Sequence, residues 1–144
     1  IKIGFSFSKY FLPSALLNNS FIKTIFELNR NFGYKKFIIL VPSVPIREGT
    51  KTNLEDTKSY FKSLYANERE KEIETFVYEG GNISAVRQFI NASHLSVLVM
   101  TPSSFSHKDN ILNRPLEKDI NTPELFAQNH KPPKSYLECL KRLN

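Results

Sequence analysis

The chain has 144 residues and carries 20 lysines and arginines against 14 aspartates and glutamates, a formal net charge of +6. With 40% hydrophobic residues it can bury a real core, which excludes a disordered tail, and no apolar run approaches the roughly 18–20 residues of a membrane-spanning helix. A single cysteine, Cys139, excludes an internal disulfide and suits a reducing cytoplasm, while the basic balance favours polyanionic partners.

Residues 1–19 are apolar without a consistent period, and serines, Lys9 and Pro13 interrupt what could pass for a secretory leader. A helix is expected from Ser20. Phe21, Ile25, Leu28 and Phe32 share one stripe, Ile22 and Phe26 widen it, and Gly33 stops it. The unbroken apolar run 37–41 reads as a parallel strand buried on both faces. It halts at Pro42-Ser43 and gives way to a polar segment carrying Arg47 and Glu48. Thr52 and Glu55 have capping-box spacing and open a second helix, which buries Leu54, Thr57, Phe61, Leu64 and Tyr65. The charged run 67–74 reads as a solvated helix end and loop.

Residues 75–79 form a second strand, ended by Gly80-Gly81. Ile83, Val86, Phe89 and Ile90 then give a short helix capped by Asn82 or Ser84, and 95–100 is a third strand that stops at Thr101-Pro102. The stretch 103–121 is loop-like. Thr122-Pro123 starts a short helix to about 129, and Leu137, Leu140 and Leu143 mark a last amphipathic helix in which Cys139 reads as a buried or half-buried thiol rather than a nucleophile.

Helices alternating with strands predict an α/β fold in three layers, a parallel sheet with crossover helices, as one domain over 1–144. Ile38, Ile39, Leu40, Val97 and Val99 are expected to be almost fully buried. Ligands of open α/β sheets sit beyond the carboxyl ends of the strands. Ser43, Arg47 and Lys51 follow the first strand there, and Thr101, Ser103 and Lys108 follow the third. Small hydroxyl residues let side-chain and backbone donors approach a phosphate, and the three cations add charge, so these six are the candidate nucleic-acid-binding residues. Ordinary turn chemistry, with Arg47 paired to Glu48, accounts for the same residues.

No complete catalytic site is visible. None of the five glycines opens a G-x-x-x-x-G-K-[ST] loop, and no G-x-S-x-G elbow occurs. His94, His107 and His130 lack metal-ligand spacing. Glu68, Glu70, Glu72 and Glu74 alternate with Arg69 and Lys71 as a charged surface. No catalytic, cofactor-binding or metal-binding residue is assigned.

Lys23-Thr24-Ile25-Phe26-Glu27-Leu28-Asn29, Phe32-Gly33-Tyr34-Lys35-Lys36-Phe37-Ile38-Ile39, Val41-Pro42-Ser43 and Ile46-Arg47-Glu48-Gly49 together resemble the restriction (Res) subunit of type III restriction enzymes. The likeness continues through Phe61-Lys62-Ser63-Leu64-Tyr65, Val77-Tyr78, Val86-Arg87-Gln88-Phe89 and Asn110-Ile111-Leu112-Asn113, covering about two thirds of the chain. Such subunits are ATP-dependent translocases of helicase superfamily 2 with a separate nuclease domain. The resemblance implies a partial RecA-like helicase domain, part of the first motor domain. It places Val41-Pro42-Ser43 to Gly49 at helicase motif Ia, and the loop after the third strand at the next DNA-contacting motif.

The departures are as informative. The family carries a Gly-rich phosphate loop ending in Gly-Lys-Thr roughly eight residues ahead of the Ile25 position. Here that place reads Ser14-Ala15-Leu16-Leu17-Asn18-Asn19-Ser20, so 1–19 is a divergent segment, and the family's Asp-Glu pair for magnesium is missing as well. A truncated or frame-shifted product would explain both. The expectation is a Res-like fragment of a restriction-modification system, a hydrolase family using ATP and magnesium, that holds no cofactor and is inactive alone. Its partners would be DNA, weakly and without sequence preference, and a DNA-modification subunit, with no membrane. A non-catalytic nucleic-acid- or partner-binding module is the alternative, and a small enzyme with a nonstandard site a weaker third.

Overall fold

The computed structural model describes residues 14–68, 70, 72–81, 83–106, 112 and 135–142. Helix α1 (Ser14–Phe32) leads into strand β1 (Lys36–Leu40), helices α2 (Val44–Asp56) and α3 (Lys58–Leu64), strand β2 (Glu74–Val77), helix α4 (Ser84–Asn91), strand β3 (Ser96–Met100), the single turn α5 (Ser103–Ser106) and helix α6 (Tyr136–Arg142). The three strands pair in parallel in the order β1-β3-β2. The chain therefore steps over β3 on its way from β1 to β2, then steps back. Right-handed crossovers in opposite directions must lie on opposite faces of a sheet, and the two cores follow that rule. Phe21, Ile22, Ile25 and Phe26 of α1, Leu54 of α2 and Phe61 of α3 pack on Phe37, Ile39, Val97 and Val99. Val86, Phe89 and Ile90 of α4 and Cys139 and Leu140 of α6 pack on Phe76, Leu98 and Met100. The α/β class and the parallel sheet are as the alternation predicts.

The burial on both faces expected of β1 belongs instead to β3, all five of whose residues are buried, because β3 is the central strand. In β1, at the edge of the described sheet, burial alternates: Phe37 and Ile39 are buried, but Ile38 and Leu40 only partly. Val97 and Val99 are fully buried as expected.

Helix α1 begins six residues before the expected Ser20, inside the segment that showed no period. Its end is as expected: Gly33 has φ 72°, and its amide donates to the Asn29 carbonyl at 2.7 Å, a left-handed cap that suits glycine. Phe32 lies past the buried stripe, exposed and stacked on Tyr34. The single helix expected from Thr52 is two helices. They break at Thr57, whose hydroxyl donates to the Asn53 carbonyl, and the redirection leaves Leu64 exposed. Ile83, not Asn82 or Ser84, stands at the N-cap of α4. The turn α5 occupies the start of the expected loop. The helix over 122–129, Leu143 and Lys108 lie outside the described residues.

Candidate nucleic-acid interface

The register of the sheet decides which loops share the carboxyl edge. Leu40 pairs with Met100, and the Val41 amide donates to the Met100 carbonyl at 3.0 Å. On the other side Val77 pairs with Val99, and the Tyr78 amide donates to the Val99 carbonyl at 2.9 Å. The three strands therefore end level, and Pro42-Ser43, Thr101-Pro102 and Glu79-Gly80 leave the sheet side by side.

Largest among the departures from expectation is the segment after β1. It is helical from Val44, so Ser43 through Gly49 is not a strand-end loop. Ser43 is the N-cap in extended geometry (φ −149°, ψ 163°), and Pro45 sits in the first turn, where a missing amide hydrogen costs nothing. The Ser43 carbonyl accepts the Arg47 amide at 3.0 Å, while its hydroxyl makes no capping bond. The positive end of a 13-residue helix thus opens at the carboxyl edge beside Thr101, an arrangement that suits an anion.

The structure separates the six sequence-predicted residues. Ser43 stands at the α2 N-terminus. Lys51 is exposed on the same helix, on the face of Val44 and about 10 Å further along the axis. Thr101 is buried, and its hydroxyl shares hydrogen bonds with the hydroxyls of Ser103 at 2.8 Å and Ser104 at 3.5 Å. Ser103 itself is exposed in the first turn of α5. Arg47 points inward, with its side chain only 11% exposed. Its Nη1 donates to the Tyr78 carbonyl at 3.1 Å, and Nε and Nη2 both donate to Glu48 Oε1, at 2.9 and 2.8 Å. Tyr78 and Glu48 are residues that the sequence reading did not place in the site. Ser43 followed by Pro45, a helix start like the one read at Thr122-Pro123, is the signal that could have put Glu48 on a helix with Arg47; the Tyr78 carbonyl has none.

The opposite, amino edge of the sheet also carries cations, but acidic groups answer them. Lys35 pairs with Glu70 at 2.9 Å, His94 pairs with Glu74, Arg30 meets Glu68, and Lys58 and Lys62 meet Glu72. The glutamates described in this run, Glu68, Glu70, Glu72 and Glu74, are therefore all ion-paired, and Glu70 is the least exposed of them. Burial pushes the Glu70 carboxyl up, but hydrogen bonds from Lys35 and the Leu95 amide and the Lys35 charge outweigh it, holding the group below its ordinary value. Lys36 reaches the Phe89 carbonyl at the end of α4 and the Ser96 hydroxyl, and lies 5.0 Å from the centroid of the Phe89 ring. Its burial lowers the ammonium pKa to about 8, with Glu74 opposing and Lys35 assisting. Among the described residues no group of three His, Cys, Asp or Glu could hold a metal, and no helix is long and apolar enough to cross a membrane.

Two curated relatives are similar to part of the chain. The Res subunit of the type III restriction-modification enzyme EcoP15I from Escherichia coli is 33% identical over 124 residues, covering 72% of this chain and 12% of the relative. The chain carries a partial Res-like region. The Res subunit of the type III enzyme EcoPI from Escherichia phage P1 is similar to it as well, 35% identical over 89 residues, covering 54% of this chain and 9% of the relative. The Res-like region thus spans about a tenth of the length of the relatives it matches. No family model and no solved structure matches the chain.

Proposed function

We propose that these residues form part of a RecA-like first motor domain of a type III Res-type subunit, and that their carboxyl edge holds the phosphate backbone of DNA. One observation carries the reading. Two segments that resemble DNA-contacting motifs of such motors, Val41-Pro42-Ser43 and the turn at Thr101, are far apart in sequence, and the β1–β3 register sets them side by side. The α2 N-terminus supplies a positive pole there, and Lys51 adds an exposed charge. The acidic partners that answer the cations at the amino edge argue for the carboxyl edge as the contact.

The contacts envisaged are to phosphate, so binding is weak and indifferent to base sequence. Within these 144 residues no Gly-Lys-Thr loop is present to cradle a nucleotide. The chain by itself therefore binds DNA in the cytoplasm without hydrolysing ATP or cutting DNA. A modification subunit is the protein partner that the names of the relatives suggest.

Fluorescence anisotropy of labelled duplexes across a salt series tests the proposal. Unrelated sequences should bind alike, with affinity falling linearly on a log–log salt plot. Lys51→Ala should reduce the slope by about 0.9, the share of one neutralised phosphate on duplex DNA. No binding at low salt, or a Lys51→Ala variant indistinguishable from wild type, would reject the edge as the DNA contact.

A further inference from the structure

We propose that Arg47 is a positioning residue, a brace that ties the first turn of α2 to the end of β2 and so holds Ser43 and the α2 N-terminus in place beside the end of β3. What the edge is for rests on the nucleic-acid reading above, but the brace stands on its own geometry. Three of the five N–H donors of the guanidinium are engaged by the Tyr78 carbonyl and Glu48 Oε1. The carbonyl belongs to the residue just past β2, whose amide is itself tied to Val99 of β3. The Arg47 amide is in turn tied to the Ser43 carbonyl. One side chain thus links three neighbouring segments of the edge: the α2 start, the β2 end and, through Tyr78, the last rung of β3.

Glu48 has a distinct part in this arrangement. Nε and Nη2 both point at its Oε1, which fixes the plane of the guanidinium and leaves Nη1 aimed at Tyr78. A phosphate ligand needs its donors facing water, whereas this side chain is almost entirely enclosed and already neutralised by a neighbour. Burial and the fork geometry therefore assign Arg47 to holding the edge rather than to touching the polyanion. Lysine cannot take the place of the fork, because one ammonium cannot span the carboxylate and the carbonyl with the same planarity.

The test compares Arg47→Met, which keeps the aliphatic bulk, with Arg47→Lys, which keeps the charge. Amide hydrogen exchange, the thermal midpoint and the salt dependence of DNA binding are read on the full 144-residue chain. If Arg47 is a brace, both variants lower the midpoint by roughly 2–4 °C. Exchange at residues 47 and 78 then quickens about tenfold or more, beyond any change in the central amides of β3. DNA affinity falls while the salt slope stays at the wild-type value, because no phosphate contact is lost. Glu48→Gln, which keeps the shape and weakens the fork, shows the same exchange pattern to a smaller degree and serves if Arg47→Met does not fold. An unchanged midpoint and unchanged exchange at 47 and 78 would overturn the brace, as would a slope reduced by about 0.9 in Arg47→Met but kept in Arg47→Lys. Should the wild type bind no DNA, the nucleic-acid reading fails, and the exchange and midpoint measurements still decide the brace.

Discussion

Leu98 and Leu40 are the same residue type on the same face of neighbouring strands, and they should differ sharply in what truncation costs. Leu98 lies on the central strand with no exposed surface, while Leu40 lies on β1 and is only packed against the margin of that core. Leu→Ala removes about three methylene equivalents, near 2.4 kcal/mol of transfer free energy when the site is fully buried. At Leu98 strands on both sides and the α4 layer limit relaxation, so a cavity remains and the total loss should reach about 3–4 kcal/mol. At Leu40 part of the side chain already meets solvent and the gap opens to water, so the loss should be about 1–2 kcal/mol. Urea unfolding of each variant, followed by far-UV circular dichroism, reads the difference as a midpoint separation of about 1 M at a slope of about 2 kcal/mol/M. Equal losses at the two positions would refute the placement of β3 in the centre and β1 at the margin.

Calorimetric titration of the 144-residue chain with Mg-ATP should give no binding heat down to millimolar affinity, because no glycine-rich loop and lysine are present to cradle the phosphates; a micromolar site would contradict the proposed inactivity. Lys36 should give a pH signature. Its folded pKa is lowered to about 8 from 10.5, so between these values the unfolded chain binds more protons at this position and stability contributed here rises with pH. Lys36→Met should remove that rise, seen as a smaller gain in urea midpoint between about pH 8 and 10 than in wild type; the same gain in both would show that Lys36 does not titrate in this window.

The parts of the fold legible in the sequence were those written in strong local patterns. Three strands showed as apolar runs ended by proline or glycine, Gly33 stopped α1 through its left-handed conformation, and Val86, Phe89 and Ile90 gave the buried face of α4. Strand order is not written there, so the longest apolar run in the first half, at β1, reads as a strand covered on both faces. Tertiary position decided otherwise and gave that burial to β3. The break at Thr57, where a hydroxyl bond to the Asn53 carbonyl accompanies the turn, and the exposure of Leu64 are not registered by periodicity.

The candidate site was half legible. Topology brings Ser43 and Thr101 to one edge, as residues following parallel strands should be. The Arg47–Glu48 pair, the alternative that the sequence offers, is present, but the second partner of Arg47 is a backbone carbonyl 31 positions away, and a carbonyl leaves no mark in the residue alphabet. Charge alone was also misleading about the two ends of the sheet. Only the fold shows that Lys35, His94, Lys58 and Lys62 face glutamates.

The central claim is that DNA lies on the carboxyl edge of this sheet, and a two-dimensional amide NMR titration with a short duplex locates the contact directly. Shifts concentrated at Ser43, Val44, Ile46, Lys51, Thr101 and Ser103, with the amides of Lys35, Lys36 and His94 unmoved, are the predicted result. Shifts centred on Lys35, Lys36 and His94, or none at any residue at low salt, would contradict it.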